Sequence, residues 1–381
     1  MNDTKLHYDD IAIVPEILTE IESRSECNPC DENDMLPIFA SCMSSVVSME
    51  NYQDFIDAQI NPVIPRTYGL KERLRFVSQH PDIFVAFSLV ETINVFVTGN
   101  NNAMLDVCNE GYKLNTIKIC IDMANGHMKK LIETVKQLRN IYGSRITIMT
   151  GNIANPKTYA EYAKAGVDYA RCSIGTGNCC STSSNTGIHY SVFSLLQECY
   201  EIKANNKYKC KIVADGGIRS YRDIQKALIY ADYVMIGSLL NKAMESAGET
   251  TYGKSYFNIR GFKIFRPIKT LLTYGRKIKR EKFNSIYDNY VKTGKLEVNK
   301  EVFGMSTKKA QVQINNANGL YNNLKTSEGL VKKQSVEFNL REWSYKEMDY
   351  LKSAMSYTNS RSLSDFHNSN WIKISQIKYN I

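Results

Sequence analysis

Residues 167–182 are Val167-Asp168-Tyr169-Ala170-Arg171-Cys172-Ser173-Ile174-Gly175-Thr176-Gly177-Asn178-Cys179-Cys180-Ser181-Thr182. The first six form a strand-like run, and the glycines that follow allow a sharp turn because they carry no Cβ. Backbone N–H groups in such a turn favour the thiolate form of a nearby cysteine. The stretch therefore predicts a strand that delivers a reactive thiol to a bound, phosphorylated molecule.

Short apolar runs of this kind recur through the first two thirds of the chain, as in strands that are buried on both faces. The eight predicted strands are Leu36–Cys42, Pro62–Pro65, Ile83–Val90, Ile117–Met123, Ile146–Thr150, Val167–Cys172, Lys211–Ala214 and Tyr233–Ile236. Amphipathic segments lie between them, such as Met128–Ile141, Pro156–Ala165, Ser191–Ala204 and Tyr221–Ile229. Eight strands alternating with helices predict an α/β protein, a (β/α)8 TIM barrel rather than an open sheet.

Polar and glycine motifs follow six of the predicted strands. They are Met43-Ser44-Ser45, Asp122-Met123-Ala124-Asn125-Gly126, Gly151-Asn152, the loop from Gly175 to Thr182, Asp215-Gly216-Gly217 and Gly237-Ser238. Active sites of such barrels lie at the C-terminal ends of the strands, so we expect one site there. The motifs after strands 7 and 8 predict a phosphate site built from backbone amides, with Asp215 holding ribose hydroxyls.

Cys180 is the candidate nucleophile, because a turn after a strand is not a core position. The alternative is that it is a small apolar filler, as free cysteines often are, and its neighbours Cys172 and Cys179 are consistent with that. Thr182 is placed to relay a proton but is a poor base alone. It needs a carboxylate partner, and Glu328 is one candidate.

Composition describes an ordinary globular chain of 381 residues, expected to form one barrel domain over 1–381. Ten scattered cysteines and a polar N-terminus without an apolar signal core predict a reduced, cytoplasmic protein. No stretch approaches the roughly 20 apolar residues that span a bilayer, so we expect no membrane partner. Cys27-Asn28-Pro29-Cys30 lacks the second ligand pair of a zinc site.

The net charge of +9 is concentrated after the last predicted strand. Residues 251–300 contain 13 Lys/Arg and 3 Asp/Glu, a net charge of +10, and we define 250–300 as a basic insertion. It is interpreted as a solvated loop, with phosphate attraction or weak nucleic-acid contact as alternatives. Residues 301–335 are polar and Asn-rich and predict a mobile active-site flap; a helix is expected at Tyr345–Ser356 and a tail from Asn359 to Ile381.

An ordered set of motifs matches one enzyme family. They are Tyr8-Asp9-Asp10-Ile11-Ala12-Ile13-Val14-Pro15, Ser23-Arg24-Ser25-Glu26, the Cys180 loop, Asp215-Gly216-Gly217, Gly237-Ser238-Leu239-Leu240, Gly304-Met305-Ser306, Ser327-Glu328-Gly329 and Ser353-Ala354-Met355-Ser356-Tyr357-Thr358. By these motifs the chain resembles the purine nucleotide oxidoreductases that comprise IMP dehydrogenase and GMP reductase. The resemblance covers most of residues 6–360 except the basic insertion.

Three features favour the reductase branch. The loop from Asp122 to Gly126 resembles that of reductases, the dehydrogenase Arg-Tyr flap pair is not evident around 321–325, and 91–117 is too short for a regulatory CBS domain. Gly237-Ser238-Leu239-Leu240 looks more like the dehydrogenases. The resemblance therefore implies NADPH-dependent reductive deamination of GMP to IMP and ammonia. IMP dehydrogenase and a purine-nucleotide-binding module with altered or no catalysis are the alternatives.

The resemblance also implies the roles of individual residues. Cys180 would attack C2 of the purine, with Thr182 and Glu328 relaying the proton. The implied substrate-binding residues are Asn178, Asp215, Gly216, Gly217, Gly237, Ser238, Gly304, Met305, Ser306, Lys325, Thr326, Ser327 and Gly329. The implied NADPH-binding residues are Arg24, Ser25, Arg66, Asp122, Ala124, Asn125, Gly126, Ile174, Gly175, Met305, Ser353, Ala354, Met355 and Ser356. A potassium ion would be held by Gly175, Gly177, Cys180 and Ser183, and Arg24 and Ser25 would reach a neighbouring subunit's cofactor in a homotetramer.

Several positions depart from the family pattern. Asn178 replaces a serine whose hydroxyl is expected on the phosphate, and Ser181 and Ser183 replace threonine and arginine. Ser44 stands where an aspartate is usual, Pro65-Arg66-Thr67 replaces His-Lys-His, and Lys325 replaces an arginine. These departures leave room for altered substrate choice or reduced activity.

Overall fold

A closed barrel of eight parallel strands organises the chain. The computed structural model describes residues 4–99, 102–112, 115–253, 256–259, 262–265, 297–319 and 324–374. The barrel strands are Ile38–Ala40, Asn61–Ile64, Phe84–Phe87, Ile117–Asp122, Ile146–Ile153, Tyr169–Cys172, Lys211–Asp215 and Tyr233–Ile236. Each pairs with the next in the chain, and the first pairs with the eighth. The predicted (β/α)8 barrel is confirmed.

Helices surround the barrel, and the longer ones pack on it through an apolar face. They are Tyr52–Ile56, Leu70–Gln79, Leu89–Thr92, Asn102–Asn109, Lys129–Tyr142, Pro156–Ala165, Thr182–Thr186, Val192–Asn206, Tyr221–Leu228, Lys308–Ala317, Leu340–Tyr357 and Leu363–Phe366. Within Lys129–Tyr142, the buried residues Leu131, Val135 and Leu138 recur at helical spacing. Complete burial of each such side chain contributes about 1.5–3 kcal/mol. Shorter helical turns occur at Tyr8–Asp10, Arg24–Glu26, Ile93–Val97, Gly143–Arg145 and Leu240–Lys242.

Aromatic side chains fill one end of the barrel. Phe39, Phe84, Tyr169 and Tyr233 pack with ring centroids 5.0 to 5.7 Å apart. Lys211 Nζ lies 5.3 Å from the ring centroids of both tyrosines, in a cation–π arrangement. Phe84, Tyr169 and Tyr233 each begin a barrel strand. These three side chains and Phe39, which we call the aromatic plug, therefore close the end of the barrel where the strands begin. The opposite end is left for a site.

The third barrel strand is shorter than expected. The sequence predicted a strand over Ile83–Val90, but the strand ends at Phe87 and a helix begins at Leu89. The Ser88 hydroxyl accepts the Glu91 N–H at 3.2 Å, and the Glu91 carboxylate accepts the Ser88 N–H at 2.7 Å. This capping box starts the helix within an apolar run, which explains the error.

The expected tail at Asn359–Ile381 was wrong for its described part. The helix Leu363–Phe366 buries Phe366 completely. The strand Trp371–Lys373 then pairs antiparallel with Ile11–Ile13 near the N-terminus. Because the strand is paired, Phe366 is buried and Trp371 packs on Phe193, this part is folded; residues 375–381 lie outside the described residues.

The segment after the barrel folds into an antiparallel sheet. Its strands are Thr250–Gly253, Glu297–Phe303 and Val331–Ser335. The helix Lys308–Ala317 lies between the second and third of these strands in the sequence. Most of the basic insertion, including 266–296, lies outside the described residues, whereas Tyr256–Ile259 and Phe262–Phe265 pair as a hairpin. Nowhere in the described ranges is there a helix long and apolar enough to cross a bilayer.

Replacing the buried Glu347 tests the packing of helix Leu340–Tyr357. Burial raises the pKa of Glu347 well above its ordinary value of 4.5, and Gln225 donates to Oε1 at 3.1 Å. A raised folded-state pKa disfavours folding once pH exceeds 4.5, where only the unfolded carboxyl ionises.

Glu347→Gln should therefore match the wild type near pH 4 and become the more stable protein as pH rises, by up to about 1.4 kcal/mol per pH unit. Urea unfolding at pH 4, 6 and 8 measures the difference. A constant difference across this range would contradict a neutral buried carboxyl.

Candidate active site

A cavity of about 470 Å³ opens at the C-terminal end of the barrel. It is lined by the loops after the barrel strands, together with 304–306 and Glu328 from the antiparallel sheet segment. The predicted site residues that line it are Arg66, Asp122, Ala124, Ile174, Gly175, Gly177, Asn178, Cys180, Thr182, Asp215, Gly216, Gly217, Gly237, Ser238, Gly304, Met305, Ser306 and Glu328. Residues separated by up to 262 positions in the sequence thus meet in one cavity.

The loop after the sixth strand has an unusual backbone. Gly175 has a φ of 76°, and a Cβ at this position would lie 2.7 Å from the Cβ of Ser183. Ser173 has a φ of 145°, which is rare for a residue with a side chain, and its hydroxyl is hydrogen-bonded to that of Thr176. Backbone strain of this kind costs about 1–3 kcal/mol and clusters at functional sites. The loop is therefore held in a defined shape.

Cys180, Thr182 and Glu328 form a hydrogen-bonded relay. The Cys180 thiol donates to Thr182 Oγ1 at 3.3 Å, and this hydroxyl donates to Glu328 Oε2 at 2.7 Å. All three residues are only partly buried and line the cavity. A carboxylate joined to a thiol through one hydroxyl is an arrangement that moves a proton to or from a group bound at the sulfur.

Glycines bring backbone close to the cavity at the seventh and eighth strands. Gly216 and Gly217 have φ values of 123° and 77°, and a Cβ on Gly216 would lie 2.7 Å from Thr176 Oγ1. A Cβ on Gly237 would lie 2.6 Å from Met43 Sδ. The positive φ of Gly216 and Gly217 favours glycine, and a Cβ on Gly216 or Gly237 would displace a neighbouring side chain. Glycine therefore leaves backbone groups facing the cavity, as anion sites require.

A buried arginine that the sequence analysis missed links the walls of the cavity. Arg171 donates to Asp122 Oδ1 and to Asp215 Oδ2, both at 2.8 Å. Asp122 Oδ2 also accepts from Arg66 at 3.1 Å, and Asp215 Oδ2 accepts from Asn152 at 2.7 Å. The signal was present in the sequence, because Arg171 is a charged residue inside an otherwise apolar strand.

The network fixes the charge of Asp122 and of Arg171. Burial opposes ionisation of Asp122, but the adjacent guanidinium groups of Arg66 and Arg171 outweigh it and lower its pKa below the ordinary value. Burial likewise opposes the charge on Arg171, but Asp215 and its other neighbours raise the pKa of Arg171 well above its usual range. Asp215 Oδ1 has no hydrogen-bond donor within the described part of the chain, so it is available to a ligand hydroxyl.

Two predicted residues after the fourth strand do not line the cavity. Asn125 Oδ1 accepts the His127 N–H at 3.0 Å and so closes the turn. Gly126 accepts from the Tyr162 hydroxyl at 2.7 Å, and a Cβ there would lie 2.5 Å from the same oxygen. Both residues shape the loop that carries Asp122 and Ala124.

Two groups expected to contact a cofactor also lie off the cavity lining, and they pack on each other. The turn Arg24–Glu26 contacts the helix Leu340–Tyr357, which contains Ser353, Ala354, Met355 and Ser356. Thr19 Oγ1 donates to the Ser356 carbonyl at 3.0 Å and joins the same assembly. Arg24 and Ser25 therefore lie beside this helix, apart from the cavity, and Ser353, Ala354 and Ser356 are partly exposed. Met355 was predicted wrongly as a cofactor contact, because its side chain is completely buried in the core.

Residues 325–329 border the cavity, and of these five residues Glu328 is the one that lines it. The Lys325 N–H donates to Gln311 Oε1 at 2.8 Å, and the Ser327 hydroxyl donates to the Gly329 carbonyl at 2.9 Å. Thr326 lies between them in an irregular stretch. These contacts hold the segment so that Glu328 alone of its residues points to Thr182.

The carbonyl oxygens expected to hold potassium lie on the Cys180 loop. The Gly175 carbonyl accepts from the Ser183 hydroxyl, and the Gly177 carbonyl accepts from the Cys180 N–H, both at 2.9 Å. Each carbonyl keeps a second lone pair, and carbonyl oxygens are the ligands that replace the hydration shell of K⁺. The donor set fits a monovalent cation; no cluster of three His, Cys, Asp or Glu ligands occurs in the described ranges.

Comparison with known proteins gives a consistent result. A family model described as the IMP dehydrogenase / GMP reductase domain matches residues 102–294. The chain is 30% identical to GMP reductase 2 of Homo sapiens over 269 residues, covering 67% of this chain and 74% of the relative. It is 29% identical to GMP reductase 2 of Bos taurus over 262 residues, covering 65% and 72%. It is also 29% identical to GMP reductase of Vibrio vulnificus (strain YJ016) over 273 residues, covering 68% and 75%.

Replacing Arg171 tests the ionic network. Arg171→Met removes the guanidinium that pairs with both Asp122 and Asp215, which should lower the free energy of unfolding by about 3 kcal/mol at pH 7. Because the lowered pKa of Asp122 stabilises the fold only above its ordinary value of 3.8, the loss should shrink as pH falls below that value.

Urea unfolding at pH 7 and pH 3.5 gives both quantities. Arg145→Met, at an exposed arginine, is the control and should change stability by less than about 0.5 kcal/mol. Equal effects of the two substitutions would contradict the role given to Arg171.

Proposed function

Since the chain belongs to the IMP dehydrogenase / GMP reductase family, we propose that it is a GMP reductase-like oxidoreductase that converts GMP to IMP and ammonia with NADPH. The observation that carries the proposal is the Cys180–Thr182–Glu328 relay at the mouth of a cavity with exposed glycine backbone. The relatives named GMP reductase support this direction of the reaction.

The cavity has a place for each part of a purine nucleotide. The phosphate would lie against the backbone amides at Gly216, Gly217 and Gly237, where no side chain covers the backbone. The available oxygen of Asp215 would accept a ribose hydroxyl. The purine would extend toward Cys180, with Met305 and its neighbours against one face. Asn178 and Ser238 also line the cavity and would complete the phosphate contacts.

The Cys180–Thr182–Glu328 relay accounts for which bonds form and which break in the proposed reaction. The Cys180 thiol passes its proton through Thr182 to the Glu328 carboxylate, and the resulting thiolate attacks C2 of the bound purine and forms an S–C2 bond. The Glu328 carboxyl then supplies a proton through Thr182 to the departing amino group, so that the C2–N bond breaks and ammonia leaves a thioimidate on Cys180. Transfer of a hydride to C2 and release of the thiolate yield IMP, and Glu328 is reprotonated from solvent.

NADPH supplies that hydride when bound. Arg66, Asp122, Ala124, Ile174 and Met305 lie on the cavity wall and would contact the nicotinamide half. Arg24 and Ser25, with the partly exposed Ser353, Ala354 and Ser356 on the adjacent helix, would serve a cofactor bound by a neighbouring copy in a homotetramer. A potassium ion on the Gly175, Gly177 and Cys180 carbonyls, with Ser183, would stabilise the loop.

Turnover of GMP tests the proposal. Purified protein with GMP, NADPH and potassium should consume NADPH and release one ammonia per NADPH, and Cys180→Ala should abolish both while retaining GMP binding. Cys179→Ala should keep most of the activity, because the Cys179 thiol contacts the Val302 carbonyl at 3.9 Å.

The same assay with IMP and NAD tests the dehydrogenase alternative. Production of NADH from IMP, without NADPH oxidation by GMP, would replace the proposed reaction with the dehydrogenase one. Folded protein that binds GMP but turns over neither substrate would indicate a nucleotide-binding module.

Thr182→Val tests the relay while conserving side-chain volume. Loss of the hydroxyl breaks proton transfer from Glu328, so kcat should fall by about 10²–10⁴, the usual contribution of general acid–base catalysis. GMP affinity measured by calorimetry should be unchanged. Thr186→Val, one turn further along the same helix, is the control, and a comparable loss in both variants would show that Thr182 acts only through helix packing.

A further inference from the structure

Two segments that carry the proposed catalytic groups run antiparallel and contact each other at successive residues. The Leu330 N–H donates to the Cys179 carbonyl, and the Ser181 N–H donates to the Glu328 carbonyl, both at 2.9 Å. Cys180 and Gly329 form an isolated antiparallel bridge between these two bonds. Residues 178–182 and 328–332 therefore form a short ladder, which we call the relay ladder.

Lys332 closes one end of the relay ladder. Its ammonium donates to the Asn178 carbonyl at 2.7 Å and to Asn178 Oδ1 at 2.8 Å. The Thr182–Glu328 hydrogen bond closes the other end. Cys180, the proposed nucleophile, thus lies between the charge-assisted contact of Lys332 with Asn178 and the hydrogen bond of Thr182 to Glu328.

The position of Lys332 is set by the sheet rather than by the loop. Its backbone pairs with Val302, a completely buried residue of the strand Glu297–Phe303. Asn178 and Leu330 are exposed, so water competes for the ladder's hydrogen bonds at this end. Hydrogen bonds to a charged group are about twice as strong as neutral ones, and such a contact resists this competition.

We propose that Lys332 is a positioning residue that fixes the Cys180 loop in register with the segment carrying Glu328. The proposal rests on the proposed function in taking Cys180 as the nucleophile. Without the ammonium, the loop separates from residues 328–332 more often, and the distances from the thiol to Thr182 and from Thr182 to Glu328 are no longer held. Small displacements of catalytic groups reduce turnover far more than binding.

Lys332→Met removes the ammonium while keeping a long side chain, and hydrogen exchange followed by mass spectrometry reads the ladder directly. Peptides covering 177–183 and 326–333 should exchange about tenfold faster, because the Ser181 and Leu330 amides lose protection. Lys332→Arg keeps the charge and a donor and should restore most of the protection. Lys333→Met, on the same strand with an exposed side chain, should exchange like the wild type.

Kinetics supply the second readout. In Lys332→Met, kcat with GMP should fall about tenfold while KM for GMP changes by less than about threefold. Lys332→Arg should recover kcat, and Lys333→Met should not alter it. Unchanged exchange in both peptides, or equal changes in the Lys332→Met and Lys333→Met proteins, would overturn the proposal.

The outcome is separable from that of the proposed function. If the wild type does not turn over GMP, the proposed function fails, whereas the exchange comparison still decides whether Lys332 holds the ladder. Faster exchange across the whole chain of Lys332→Met, with a lowered midpoint of thermal unfolding, would show a general structural role and would overturn positioning.

Discussion

Closure of the barrel is the constraint on which the site depends. The first strand, Ile38–Ala40, pairs with the eighth, Tyr233–Ile236, although they lie about 200 residues apart. Because all eight strands are parallel, their C-terminal ends then meet at one rim. Across this closure Gly237 and Met43 approach so closely that a Cβ on Gly237 would displace the Met43 side chain. The aromatic plug at the other end ensures that ligands enter from the rim.

Two kinds of link hold the rim together. Inside the barrel, Arg171 neutralises Asp122 and Asp215 and ties three strands through buried ion pairs. Outside it, the antiparallel sheet brings Glu328 to the loop of the sixth strand, which supplies Cys180 and Thr182. In the proposed function, the first link would position the ribose and the second the proton relay. The barrel would then provide the binding groups, whereas the added sheet would complete the proposed catalytic set.

The sequence predicted the barrel and the Cys180 loop because both depend on local patterns. Apolar runs bounded by glycine motifs predicted the strands, and the order of motifs placed Cys180 at a strand's end. The helix at Leu89 was missed because its capping box lies inside an apolar run. The folded end at Trp371–Lys373 was missed because its partner, Ile11–Ile13, lies at the other end of the chain. Periodicity does not report pairing at such a distance.

Side-chain partners were the least predictable part of the site. Glu328 was chosen by resemblance among 39 acidic residues, and its hydrogen bond to Thr182 depends on a loop crossing that no local pattern encodes. Arg171 could have been predicted, because it is a charged residue within an apolar strand. The hydrogen bond from Lys332 to Asn178, in contrast, follows from the register of the relay ladder. Asn178 was expected to depart from the family pattern at a position that contacts the phosphate. The structure shows that its side chain accepts a hydrogen bond from Lys332.

The central claim is that Cys180 forms a covalent bond to the purine. Enzyme incubated with ¹³C-labelled GMP without NADPH, quenched in acid and digested, tests it by mass spectrometry. The account predicts the label on the peptide that contains Cys180, accompanied by release of ammonia, and no label in Cys180→Ala. Full oxidation of NADPH by GMP with no labelled intermediate, or label on another cysteine, would contradict it.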